Sequence, residues 1–278
     1  MKKKIISGSV KNSFAMIWRN KLLFISLFAL QVLFFSLFLY ASTVYLPRMF
    51  GSAKAISDYI SRQNLDDISV AQNVMQQKNI LGEDPLSISR NYTSLVGSFS
   101  IYLEYSFAML VLFLSISWTL TARMSHKTSF KKMLEDFAKK LLVLLSCFGA
   151  ILFFFFSIVE VSFSDSISQG LMLFAKYIPM LIFSAALLYF MFIALSISGS
   201  ESLKALLHKT FSVGIRKFHY MIAAYLISLF FVMLSVILIT YFTENNLFGL
   251  LLSMVFFVFV FVFCRIFIFN VVDRLSKE

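Results

Sequence analysis

Three charged residues lie near the predicted outer ends of long apolar segments: Glu104, Glu160 and Lys176. Glu160 and Lys176 flank a short connection, so both are expected at a similar depth of a membrane hairpin. A charge at the bilayer centre costs about 2.5–3.5 kcal/mol on insertion scales, and less near the ends of a span. One interpretation is a small polar site that binds an ion or a lipid headgroup from outside. The simpler interpretation, favoured by the modest cost, is snorkelling to the interface together with one structural ion pair.

Three further positions suggest local chemistry. Arg265 lies about one turn from the inner end of the last apolar segment, where it is expected to snorkel to cytoplasmic phosphates. The alternative, more specific interpretation is that Arg265 binds a cytoplasmic ligand. Pro179 lies within an apolar segment and predicts a helix kink, because it lacks the amide hydrogen for one helical bond. Asn91 begins an Asn-Tyr-Thr pattern on the predicted external side, which makes it a candidate for glycosylation.

The sequence contains no recognisable set of residues for catalysis or metal binding. Its two cysteines, Cys147 and Cys264, lie in apolar segments and are expected to be buried, reduced thiols. The three histidines lack metal-ligand spacing, and no glycine-rich phosphate loop or nucleophile motif occurs. We therefore predict no metal, no cofactor and no catalytic residues, and rank an enzyme last among the functional alternatives.

The composition indicates which elements carry these residues. Of 278 residues, 59% are hydrophobic and 14% are charged, and 35 are phenylalanine. An ordinary soluble domain has roughly 25% charged residues. The composition excludes a disordered chain, a soluble enzyme of ordinary composition and a fibrous protein. It indicates an integral membrane protein.

Six segments are long and apolar enough to cross a bilayer, which takes about 20 residues. They are residues 22–46, 101–122, 141–163, 171–198, 220–242 and 248–270. Runs of consecutive phenylalanines, as at 153–156, do not alternate as the strands of a membrane barrel would. The predicted fold is all-α: a polytopic membrane helix bundle of six transmembrane helices, which forms a single transmembrane domain over residues 1–278.

The distribution of Lys and Arg predicts the orientation. These residues concentrate in the N-terminal segment, in the connections after the second and fourth spans, and at the C-terminus. Because cytoplasmic connections carry the excess of Lys and Arg, both termini of this multi-pass protein are expected in the cytoplasm, and the protein in the cell membrane. The net charge of +11 is then explained without nucleic acid. The expected partners are the lipid bilayer, anionic headgroups on the cytoplasmic side and another membrane protein.

Basic amphipathic segments precede spans one, three and five, and each is expected to form an interfacial helix on the cytoplasmic side. Their apolar stripes are Ile6, Val10, Phe14 and Ile17; Phe130, Met133, Leu134, Phe137 and Leu141; and Leu203, Leu207, Phe211, Ile215 and Phe218. The recurring order of basic segment, span, connection and span suggests three parallel repeats, although any basic connection before a span would look similar. The external segment, residues 47–100, is expected to contain one or two short helices and to cap the bundle.

Two stretches near the C-terminus carry a resemblance to known proteins. They are SVGIRKF at 212–218, followed by an apolar span, and RIFIFNVVD at 265–273. They are similar to uncharacterised six-span proteins of prokaryotes, including archaea, which in turn resemble the membrane domain fused to some glycerophosphodiester phosphodiesterases. The resemblance covers mainly the last third of the chain. It implies a six-helix bundle with interfacial helices, and no catalytic residues, because the phosphodiesterase chemistry belongs to a separate domain.

Three functions follow as alternatives. The favoured one is a non-enzymatic membrane component that interacts with lipids or organises a complex. The second is a transporter or channel for a small solute, ion or lipid that uses the outer polar site, and the third is a membrane-embedded enzyme. Transport would be favoured if the polar side chains of the spans converged on one cavity, and a dry, Phe-packed bundle would favour the first alternative. These side chains are Gln31, Ser115, Ser117, Thr119, Thr121 and Glu160.

Overall fold

The structure is a computed structural model that describes residues 2–62, 85–126, 129–164, 170–197, 202–243 and 246–277. All regular elements in these ranges are helices. They are α1 Lys2–Arg19, α2 Lys21–Arg62, α3 Pro85–Ser125, α4 Phe130–Ser164, α5 Gly170–Ser196, α6 Leu203–Arg216, α7 Phe218–Thr243 and α8 Leu247–Leu275. The predicted all-α fold is confirmed.

Of the eight helices in the described part of the chain, six are long and apolar enough to cross a membrane: α2, α3, α4, α5, α7 and α8. Each contains most of one predicted span. The chain is therefore a multi-pass, all-helical membrane protein. The two remaining helices, α1 and α6, precede the first and fifth spans, where separate amphipathic helices were predicted.

The segment before the third span is also helical, but it forms the first turns of α4 rather than a separate helix. The helix runs from Phe130 to Ser164 without interruption. Neither glycine nor proline occurs in it before Gly149, so the sequence offers no breaker between the basic turns and the apolar ones.

Helices α2 and α3 are much longer than the spans that they contain. At 1.5 Å per residue, their 42 and 41 residues extend about 60 Å each, twice the thickness of a hydrocarbon core. Residues 47–62 continue α2 and residues 85–100 begin α3, where the sequence predicted short separate helices. Pro85 is the first residue of α3, a position where its missing amide hydrogen is not needed. Residues 63–84 lie outside the described ranges.

Contacts within the chain divide it into two compact units. Unit 1 contains Met1–Leu33, Val111–Phe153 and Leu181–Glu278, and unit 2 contains Phe34–Leu110 and Phe154–Met180. In unit 1, the C-terminal half of α8 is largely buried and packs against α7 and α1.

In unit 2, α2 and α3 pack around one tyrosine. The Tyr102 hydroxyl lies 3.1 Å from Ser42 Oγ, and the rings of Phe38 and Tyr45 lie 6.3 and 6.4 Å from the Tyr102 ring. Further along α2, Ser52 Oγ lies 3.3 Å from Ser94 Oγ. The contacts Ser42–Tyr102 and Ser52–Ser94 run in opposite order along the two helices, so α2 and α3 are antiparallel here.

Candidate functional site

The residues of the predicted outer polar site are only partly described. Glu104 lies on α3 with its side chain exposed. Glu160 and Lys176 lie on α4 and α5, but their side chains are outside the described part of the chain. A site formed by these three residues therefore stays a prediction.

Arg265 lies inside unit 1, on the buried half of α8. Only 7% of the residue is exposed, and its Nη2 donates a hydrogen bond of 2.8 Å to Oε1 of Gln31. Its Nη1 is buried without a hydrogen-bond partner among the described residues. The guanidinium is therefore held by packing and by one amide, away from the protein surface where snorkelling would place it.

The remaining predicted positions lie on helices. Helix α5 continues through Pro179, which is exposed, and the kink stays a prediction. Asn91 is half-buried in the second turn of α3, and the Thr93 hydroxyl of its glycosylation pattern donates to the Ser89 carbonyl at 2.8 Å. Glycosylated asparagines ordinarily lie in surface loops, so this site too stays a prediction.

Three of the buried hydroxyls near the C-terminal end of α3 are bonded within their own helix. The hydroxyls of Ser115 and Thr119 donate to carbonyls four residues earlier at 2.7 and 2.8 Å, and that of Thr121 donates to Ser117 at 2.8 Å. These three hydroxyls are thus satisfied locally, the Ser117 carbonyl being the acceptor for Thr121, and Gln31 is bonded to Arg265. Neither of the two cavities described among the residues of unit 1 is lined by these side chains.

A second buried cation was not among the predicted site residues. Lys140, whose side chain is 2% exposed, donates to Asp136 Oδ2 at 2.5 Å and to the Trp118 carbonyl at 3.0 Å. Asp136 and Lys140 both lie on α4, and the bond from Lys140 to the Trp118 carbonyl joins α4 to α3. The four-residue spacing of Asp136 and Lys140 was the signal available in the sequence, because such residues are neighbours on a helix surface.

Helix α6 is fixed to the bundle by one face that contains small residues. The Ser202 hydroxyl caps its first turn by accepting from the Ala205 amide at 3.3 Å. The Tyr189 hydroxyl of α5 donates to the Gly214 carbonyl at 2.8 Å. A Cβ at position 214 would lie 2.6 Å from the Phe190 ring, so this close approach requires glycine. The buried face consists of Leu206, Thr210, Val213 and Gly214.

The adjacent face of α6 carries large apolar side chains that are exposed. Leu207, Phe211 and Ile215 are 53%, 50% and 66% exposed. A shallow notch of about 230 Å³ lies on this surface, lined by His208, Phe211, Ser212, Ile215 and Arg216. A mostly apolar lining that includes the Arg216 side chain suits an amphiphilic anion.

Helix α1 shows a similar division between a buried face with small residues and exposed large side chains. Its buried residues are Ile5, Ser9, Ser13 and Met16. Phe14, which belongs to the predicted apolar stripe, is 54% exposed, and Trp18 is 74% exposed. The ammonium of Lys21 lies 4.3 Å from the centre of the Trp18 ring. Lysine next to an exposed tryptophan is typical of a membrane interface.

The chain matches no protein-family model, no curated protein and no solved structure. The resemblance of its last third to prokaryotic six-span proteins therefore stays a prediction, which rests on residues 212–218 and 265–273 alone.

Proposed function

We propose that this chain is a non-enzymatic membrane protein that binds anionic phospholipid headgroups along one face of the bilayer. The main support is the composition of the outer face of α6, where exposed apolar side chains lie next to cationic ones. Leu207, Phe211 and Ile215 provide the apolar surface, and Lys204 and Arg216 are exposed on the same helix.

The length of α6 supports an interfacial position. Its 14 residues extend about 21 Å, too little to cross a hydrocarbon core of about 30 Å. A short basic helix with an exposed apolar face lies in the plane of the interface, with its apolar side chains at the acyl boundary. Each Lys or Arg near an anionic surface contributes about 1 kcal/mol of attraction.

The proposal includes an orientation. The basic segments before spans one, three and five would face the cytoplasm, with both termini on that side of the cell membrane, because Lys and Arg accumulate there. The predicted similarity to prokaryotic six-span proteins fits such a role, since those proteins in turn resemble a membrane domain fused to some glycerophosphodiester phosphodiesterases. A membrane protein that docks on the lipid-exposed spans would extend the same role to organising a complex.

The proposal is tested by counting bound lipids. The full-length protein is extracted from membranes of phosphatidylcholine and phosphatidylglycerol, and retained lipids are identified by native mass spectrometry. Removing the two α6 charges in the Lys204→Gln/Arg216→Gln variant should weaken the retention of phosphatidylglycerol by up to about thirty-fold, because each charge contributes about 1 kcal/mol.

A matched control removes two exposed cations on the predicted external side. The variant Arg48→Gln/Lys54→Gln changes the net charge equally but should retain phosphatidylglycerol at the level of the unmodified protein. Equal losses in the two variants, or no loss in either, would contradict a specific role of α6.

A further inference from the structure

A groove runs along the N-terminal half of α8 in unit 1. Its volume is about 520 Å³, within the range of pockets that hold small molecules. Near one end the rings of Phe24 and Phe259 lie 5.9 Å apart, and near the other the ring of Phe242 covers Gly249. Positions 249 and 259 are about 15 Å apart along a helix at 1.5 Å per residue, which sets the length of the groove.

The lining of the groove is almost entirely apolar. Aromatic rings and aliphatic side chains form its walls, and the hydroxyl of Ser253 is occupied by a 2.8 Å bond to the Leu250 carbonyl. Apart from the Ser253 oxygen, which can still accept, the lining side chains offer a polar ligand no hydrogen-bond partner, and its burial would be costly. All lining residues belong to helices that are apolar enough to cross a membrane, so the surrounding medium is hydrocarbon. An empty groove would lose van der Waals contacts that an acyl chain supplies.

An acyl chain in the groove does not by itself favour one lipid over another, because the acyl chains of different phospholipids are all as apolar as the groove. A preference requires a contact with the headgroup. Lys21 is exposed at the start of α2, three and seven residues before the groove residues Phe24 and Phe28. Residues at these spacings share a helix face. Lys21 thus lies on the side of α2 that carries Phe24 and Phe28, and the Trp18 ring beside it is typical of the membrane interface.

We infer that the groove between α2, α7 and α8 binds one acyl chain of an anionic phospholipid, with Lys21 at its headgroup. This site is separate from the outer face of α6. It would make one lipid a structural part of unit 1, wedged against Phe24 on α2 and Phe259 on α8.

The test compares two neighbouring substitutions on α8. Leu252 lines the groove and is 60% exposed, whereas Leu251 is 55% exposed and lies outside the lining. The Leu252→Trp variant should fill the groove and lose one retained phospholipid in native mass spectra. The Leu251→Trp variant should retain it. Equal thermal unfolding midpoints for the two variants show that both are folded.

The headgroup contact is tested with Lys21→Gln. This variant should still retain one lipid, but its preference for phosphatidylglycerol over phosphatidylcholine should fall about five-fold. A phosphatidylglycerol with a photoreactive acyl chain provides a second measurement, and it should label peptides that contain residues 24–28 and 249–259.

The outcomes separate this inference from the proposed role of α6. The Lys204→Gln/Arg216→Gln variant should keep the groove lipid, whatever it does to the other retained lipids. Equal retention by Leu252→Trp and Leu251→Trp, labelling elsewhere in the chain, or no headgroup preference in the unmodified protein would overturn the inference.

Discussion

Two buried cations are held by few polar partners in unit 1. Among the described residues, Lys140 has a carboxylate and a carbonyl as partners, and Arg265 has one amide oxygen. Removing a partner from a buried charge costs several kcal/mol, whereas an exposed ion pair contributes little. The chain offers a direct comparison, because Asp273 and Lys277 form an exposed pair with the same four-residue spacing and a similar length of 2.6 Å.

The buried pair is expected to matter far more than the exposed one. The Asp136→Asn substitution leaves the Lys140 ammonium without its counter-charge and should lower the free energy of unfolding by about 3 kcal/mol. The Lys277→Gln substitution should lower it by less than about 1 kcal/mol. Reversible unfolding in mixed micelles measures both. Similar losses of unfolding free energy in the two variants would show that burial does not increase the contribution of the Asp136–Lys140 pair to stability.

The two buried cations differ in how far the sequence could predict them. Asp136 and Lys140 are one helical turn apart, so their pairing is visible in the spacing. Gln31 and Arg265 are 234 residues apart, and only the packing of α2 near α8 brings them together. The sequence identified Arg265 as an unusual charge within a span, but it carried no signal for its partner.

The amphipathic helices show where an apolar pattern misleads. The stripe predicted for α6, including Leu207, Phe211 and Ile215, is exposed, whereas the buried face includes Thr210 and Gly214. In membranes, small residues let helix backbones approach closely, and large apolar residues are as stable facing lipid as facing protein. Hydrophobic periodicity therefore identified the helix correctly but did not identify the face that contacts the bundle.

The close contact of α6 with α5 predicts opposite effects for two glycine substitutions. At Gly149 of α4, a Cβ meets nothing within 4 Å, so Gly149→Ala should stabilise the helix by about 0.5–1 kcal/mol. At Gly214 a Cβ would meet the Phe190 ring at 2.6 Å, and that ring also contacts Phe211, with centroids 5.0 Å apart. Overpacking of this kind costs about 1–3 kcal/mol, so Gly214→Ala should destabilise the protein.

Thermal unfolding of the purified protein gives the sign of each change, and hydrogen exchange shows where it acts. The Gly214→Ala variant should speed amide exchange in α6 and leave α4 unchanged. A Gly214→Ala variant that is more stable than the unmodified protein would contradict this prediction. It would mean that the Phe190 ring moves aside for the new methyl group without lowering the free energy of unfolding.

For the molecule as a whole, the sequence predicted the class and the number of spans, because apolar runs of 20 residues have no other stable location. It did not predict the length of α2 and α3. Beyond Leu46 the chain becomes polar, and polarity by itself does not distinguish a loop from a helix that leaves the bilayer. The serine and tyrosine contacts between α2 and α3, such as Ser52 with Ser94, appear only in the structure.

The pairing of α2 and α3 beyond the apolar runs predicts a cross-link. The Oγ atoms of Ser52 and Ser94 lie 3.3 Å apart, so cysteines at both positions should form a disulfide on mild oxidation of a variant without native cysteines. Thr93 is exposed and about 100° away around α3, so Ser52→Cys/Thr93→Cys should cross-link several-fold more slowly. Oxidation by a membrane-impermeant reagent in intact cells should also succeed, because the proposed orientation places residues 47–62 outside. Cross-linking only after the cells are opened would show the opposite orientation, with the basic segments on the external face.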